Sequence, residues 1–126
     1  MTRQLTGPRP DAVFSQAVRV GDVICVSGQV AINQDREIVG IGDSEAQARQ
    51  CFANLARILD EAGASMQDLT RVNAYLTDTA HYSGYAAAKN DYLKDILPAG
   101  TVVIVAGLMD PRFLMEIDAI AVVADE

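Results

Sequence analysis

A small α+β domain is the fold class this sequence predicts, with a mixed sheet of about six strands and two helices on one face. Three observations carry that prediction. Residues 44–62 form one helical stripe of apolar side chains. Several other segments show strand-length apolar runs or period-two alternation. The elements are arranged as β-β-(β)-α-β-α-β-β, an order with too few helices to cover both faces of such a sheet. The chain has 126 residues, which suits a single domain spanning 1–126.

The first ten residues are polar and include Pro8 and Pro10, so they read as an extended lead-in. Val13–Val20 and Val23–Val26 flank Gly21-Asp22 and predict a tight hairpin, with Gln29 to Ile32 continuing the second strand. Asn33 to Arg36 is a polar turn, and Glu37 to Ile41 reads as a short third strand. The first helix opens on a capping box from Ser44 to Gln47. Its stripe is Ala48, Cys51, Phe52, Leu55, Ile58, Leu59 and Ala62, and Gly63 ends it. Leu69 to Thr77 alternates as a strand. A second helix runs from Tyr82 to Leu93 despite Gly84 inside it, and Pro98 keeps it from running on. Thr101 to Leu108 is apolar throughout and predicts a strand buried on both faces. Asp110-Pro111 is a turn, and Phe113 to Ala124 is a long strand.

Half the residues are apolar, enough for a packed core without staples. The net charge of -7 and the lack of any tryptophan argue against nucleic-acid binding, because no basic patch or stacking platform is on offer. Cys25 and Cys51 are too few for a disulfide framework and read as buried thiols in a reducing cytoplasm. No segment is apolar for long enough to cross a bilayer, and Met1 to Pro10 lacks the apolar core of a signal peptide. The expected location is cytoplasmic. With two helices on one face, the other face of the sheet stays bare, and an apolar bare face calls for a partner.

Few residues suggest chemistry. Glu116 and Asp118 are two apart in an apolar strand, so both carboxylates share one face, roughly 6.6 Å apart. Such a group either finds a cation or donor, or keeps a raised pKa and works as an acid or base. The ordinary reading, an ion pair or backbone bond at a subunit interface, is weighed evenly for Glu116 and preferred for Asp118. Ser27-Gly28 comes directly after a strand and presents a hydroxyl and backbone N–H groups, or marks a β-bulge. Phe14 alone reads as core. His81 reads as a solvated cap, and one histidine makes a metal site improbable. Arg112 stands just after a turn, where it could pair near Glu116.

The segments Phe14-Ser15-Gln16-Ala17-Val18, Val26-Ser27-Gly28-Gln29, Tyr75-Leu76-Thr77-Asp78, Pro98-Ala99 and Met115-Glu116-Ile117-Asp118-Ala119-Ile120-Ala121 stand in an order that resembles the Rid family, also called YjgF. Asn54-Leu55 before Ala62-Gly63 fits the same order, and the likeness runs from about Pro10 to Val123. It implies a chorismate-mutase-like fold, a homotrimer with a central barrel, and small-molecule sites in the clefts between subunits. Rid proteins hydrolyse enamines and imines without a cofactor. The family glutamate falls on Glu116, the catalytic candidate. Ser27 with Gly28, Phe14, and the backbone near Thr101 and Val102 fall on ligand-binding positions. Where the family places a carboxylate-binding arginine, this chain has Gly100. Gly107 stands where another arginine is usual, and Ala86 where an asparagine is common. The resemblance therefore implies an atypical deaminase-type hydrolase with altered substrate preference. Its competitor is a non-catalytic trimer that binds a metabolite or a protein. Either Arg71 or Arg112 is a candidate to replace the missing cation.

Overall fold

Among the described residues, six strands and two helices fold into one layer of sheet and one layer of helix. The computed structural model describes residues 2–124. Strands β1 (Arg3–Arg9), β2 (Phe14–Val20), β3 (Val23–Gln29), β4 (Leu69–Leu76), β5 (Ala99–Ile104) and β6 (Met115–Val122) form a six-stranded sheet in the order β1-β2-β3-β6-β4-β5. Only β4 and β5 run parallel, with α2 (Tyr82–Leu93) in the connection between them, as a parallel crossover requires. The other pairings are antiparallel, so the sheet is mixed as expected.

Helix α1 (Ser44–Glu61) crosses β6, β3 and β2 and buries its stripe there. Ala48, Cys51, Phe52, Leu55, Ile58 and Leu59 are at most 1% exposed. The larger of these side chains, Phe52, Leu55, Ile58 and Leu59, each contribute on the order of 1.5–3 kcal/mol by leaving water. Phe52 stacks on Tyr85 and Tyr92 of α2, with centroids 6.0 and 5.2 Å apart, which ties the helices into one layer. Gly84 has a packing reason: a Cβ there would lie 2.6 Å from the backbone N of Glu45. Gly63 (φ 83°) closes α1 as predicted, with its N–H donating to Asp60 and that of Ala64 to Leu59, both to backbone carbonyls.

Several expectations need correction. The lead-in is strand β1, an edge strand paired to β2, where Pro8 is tolerated because one side needs no ladder bond. The capping box does not form. Asp43 caps α1 by accepting from the Ala46 N–H, which frees Ser44 to bond His81 and Gln47 to turn inward. The short strand at Glu37 to Ile41 is reduced to one bridge, Ile32 to Ile38. Strand β5 begins at Ala99, ends at Ile104, and is exposed along its whole length rather than buried on both faces. It is an edge strand, and this chain places nothing over it. The last strand is shorter than expected, because Phe113 and Leu114 are held in the preceding loop by turns and by Gln47. Cys25 is exposed, since it falls on the bare face of β3, whereas Cys51 is buried.

The bare face is divided. Register places Leu5, Val18, Cys25 and Ile120 in one row and Arg3, Val20, Val23 and Val122 in the next. Toward the other edge, Thr101, Asn73 and Asp118 form a row, as do Val103, Tyr75 and Glu116. One half of this face is therefore mainly apolar and the other mainly polar. No helix among the described residues is long and apolar enough to cross a membrane.

Candidate functional site

The polar half of the bare face holds the two carboxylates of β6, and they are not equivalent. Asp118 accepts from Asn73 Nδ2 and from the Tyr75 hydroxyl, both at 2.8 Å. Both of its oxygens are engaged by side chains of β4, one strand away. That bond, followed by burial, pushes the Tyr75 phenol above its usual pKa. Glu116 has no hydrogen bond or ion pair among the described residues. Burial, and then the nearby Asp118 charge, pushes its pKa above the ordinary glutamate range. A half-buried carboxyl with an open acceptor and a raised pKa suits general acid–base work.

Backbone geometry holds Glu116 in place. Between Val26 and Gln29 the β3 register slips against β6, where Ala119 and Ile117 are only two residues apart. One extra residue on β3 makes a bulge, and Ser27 and Gly28 lie in it. A Cβ at Gly28 would come within 2.7 Å of the Glu116 carboxyl carbon. A side chain at this position would push the carboxyl aside, so the glycine after Ser27 lets the glutamate sit where it does. Ser27 Oγ donates to the Ser15 carbonyl at 2.6 Å, and Gln29 Nε2 donates to the Ser27 carbonyl and to Gln16.

The other candidates lie elsewhere. Gly100, Thr101 and Val102 line a cavity of about 410 Å³ between α2 and β5. Phe14 is not core: the residue is 44% exposed, its ring lies 5.8 Å from the Arg9 guanidinium, and it shares a groove with Gly28, Arg36 and Arg57. Arg112 is tied to Asp110 at 2.7 Å and so does not meet Glu116. That pairing holds the Asp110 carboxyl at about 2. Arg71 sits on the bare face and donates to Thr101 Oγ1 at 2.5 Å. His81 is not simply solvated, because its Nδ1 is 2.7 Å from Ser44 Oγ. No cluster of three or more metal-ligating side chains occurs among the described residues. One chain thus joins Glu116, Ser27 and Gly28, with Phe14 lining the grooves beside them, but leaves the Gly100 segment at a separate place.

Sequence reasoning missed Gln47. It is fully buried, donates to the carbonyls of Gly40 and Arg112, and accepts from the Leu114 N–H. It fixes the loop that enters β6 just before Glu116. Its one signal in the sequence is a polar residue beside the apolar stripe of α1, in the position of a capping box. In the sequence, Asn73 and Tyr75 show only strand alternation. Their register with Asp118 and Glu116 needed the sheet.

Comparison with known proteins supports the family. A profile described as Endoribonuclease L-PSP matches residues 5–123. A RutC family protein of Pyrococcus abyssi is 35% identical over 115 residues, covering 90% of this chain and 89% of the relative. The 3-aminoacrylate deaminase RutC of Acinetobacter baylyi is 32% identical over 114 residues, covering 90% of each. A solved YjgF/YER057c/UK114 family structure from Mycobacterium tuberculosis is 28% identical, covers 97% of this chain and 100% of its own, and superposes with a TM-score of 0.85. With its mixed six-stranded sheet, its two helices and a matching profile along nearly its whole length, the chain belongs to the Endoribonuclease L-PSP family, the group of the YjgF, Rid and RutC proteins.

Proposed function

We propose that the protein is a cofactor-independent, deaminase-type hydrolase of a small enamine or imine, working in the cytoplasm as a homotrimer with a central barrel. The observation that carries this reading is the unpartnered, half-buried Glu116 carboxyl, seated against Gly28 with a raised pKa. The 32% identity to a 3-aminoacrylate deaminase favours the same class of reaction. The trimer accounts for two features of the single chain. It would cover an apolar half-face on which Leu5, Val23, Ile120 and Val122 are 36–50% exposed. It would also bring together, in clefts between subunits, the ligand-binding candidates that one chain keeps apart.

In the proposed reaction an enamine first takes a proton from solvent at carbon and becomes the iminium. Glu116 accepts a proton from water as the water oxygen bonds to the iminium carbon, giving a neutral carbinolamine. The same carboxyl returns that proton to nitrogen, then takes the hydroxyl proton as the C–N bond breaks; ammonia leaves, the carbonyl product forms, and the carboxyl gives its proton back to solvent. The backbone of Thr101 and Val102 and the Ser27-Gly28 bulge would hold the substrate, and Phe14 would wall the cleft. Gly100 offers no guanidinium, so the preferred substrate would differ from that of members with arginine there.

The test is imine hydrolysis. An amino-acid oxidase generates imines while semicarbazide competes for them, with wild type beside Glu116→Ala and Gly100→Arg. Wild-type turnover that disappears in Glu116→Ala is the expected result. A Cβ at Gly100 meets only the Val72 carbonyl oxygen, at 3.5 Å, so the arginine variant is expected to fold. Activity only in Gly100→Arg would mean a working scaffold with a different native substrate. No turnover in any of the three would favour the second reading, a non-catalytic trimeric binding module. One observation supports that alternative: the Ser27 hydroxyl proton is already engaged by Ser15. Ribonuclease action fits poorly, because the chain is acidic and its single histidine is bonded to Ser44.

A further inference from the structure

We propose that the cavity between α2 and β5 is an anion subsite, with Lys89 as the cation that receives a substrate carboxylate. The inference rests on the proposed function, in which the backbone at Gly100 to Val102 holds the ligand. The chain has 17 acidic residues against 10 basic ones, yet no Asp or Glu lines this cavity. Its only two lysines, Lys89 and Lys94, both do. Neither forms an ion pair among the described residues, in a protein where Arg9, Arg49, Arg57 and Arg112 all do.

Lys89 is the better placed of the two. It is half-buried on α2, whereas Lys94 is exposed at the helix end. Its Nζ lies 5.7 Å from the ring centroids of both Tyr82 and Tyr85, which steadies the ammonium without neutralising it. A cation held by π faces keeps its donors for an anion. The opposite wall is open, because Gly100 puts no side chain into the space and exposes its backbone. The rim turns at Leu97, a non-glycine residue at φ 55° directly before Pro98, a strained backbone of the kind kept at binding sites. A volume of about 410 Å³ fits a small organic acid.

The probe is pyruvate, with methyl pyruvate as its uncharged counterpart. Binding is tracked through the backbone amide signals of Gly100 and Thr101 in the full-length protein. Saturable shifts with pyruvate are expected. Lys89→Met should weaken binding about ten-fold or more, because it keeps the stem and removes the charge, while Lys89→Arg stays close to wild type. No saturable shift, equal affinity in Lys89→Met, or equal affinity for methyl pyruvate would each overturn the subsite. Imine turnover on the same samples keeps the two ideas separate. Lys89-dependent pyruvate binding without turnover sinks the hydrolase and leaves the subsite standing. Turnover with an unchanged KM in Lys89→Met sinks the subsite and leaves the hydrolase.

Discussion

Strand β6 shows two faces that obey different rules. Met115, Ile117, Ala119 and Ala121 turn toward the helices and are at most 3% exposed. Glu116, Asp118, Ile120 and Val122 turn the other way, and Ile120 and Val122 keep 36% and 39% of their surface. Alternation along one strand therefore carries both a finished core and an unfinished surface. On the covered face every group has a partner, including the polar ones, as Gln47 illustrates. On the bare face Asp118 is saturated while Glu116 is not. A carboxylate in an apolar strand is thus not by itself a site. What sets Glu116 apart is the lack of a donor, together with a glycine that makes room for it.

The sharpest test of that contrast compares two isoleucines three residues apart. Ile117→Ala should cost about 2–5 kcal/mol in urea unfolding, because the cavity opens in a dry core. Ile120→Asp should leave each subunit folded and abolish the proposed trimer, as read by light scattering; assembly that survives would mean the bare face is not the interface. Next in size, Gly28→Ala should lower imine turnover roughly 10²-fold through displacement of Glu116, with the fold kept. Unchanged turnover would show that the carboxyl position does not matter. Tyr75→Phe removes one donor to Asp118 and should cost about 1–2 kcal/mol in unfolding free energy. It should change turnover less than Gly28→Ala does.

The smallest effect concerns pH. The folded protein holds the Glu116 proton to a higher pH than the unfolded chain does, so this group lowers stability as pH rises from its unfolded pKa through its folded one. Glu116→Gln should therefore be more stable than wild type at neutral pH. The advantage should vanish below the ordinary glutamate range, where both states are protonated, and thermal melts across pH will show it. Stabilisation accompanied by lost turnover would mark Glu116 as a residue kept for chemistry. A variant no more stable than wild type at neutral pH would contradict the raised pKa.

Local patterns made much of the architecture legible. The stripe from Ala48 to Leu59, the glycine stop at Gly63, the Gly21-Asp22 hairpin and the helix from Tyr82 to Leu93 all depend on neighbours within a few residues, and all are present. The pairing of Glu116 and Asp118 on one face comes from the two-residue period alone. What stayed hidden depends on which strand lies beside which. The β1 segment gives no alternation signal, because an edge strand with proline need not bury one side. The apolar run of β5 looks the same whether its own chain covers it or not. The sequence by itself thus determined the fold class, the helices and the face that bears the carboxylates. Only the tertiary structure decided that Asn73 and Tyr75 saturate Asp118 and that a bulge seats Gly28 against Glu116. Those are contacts between segments 40 or more residues apart or across neighbouring strands, and no local period encodes them.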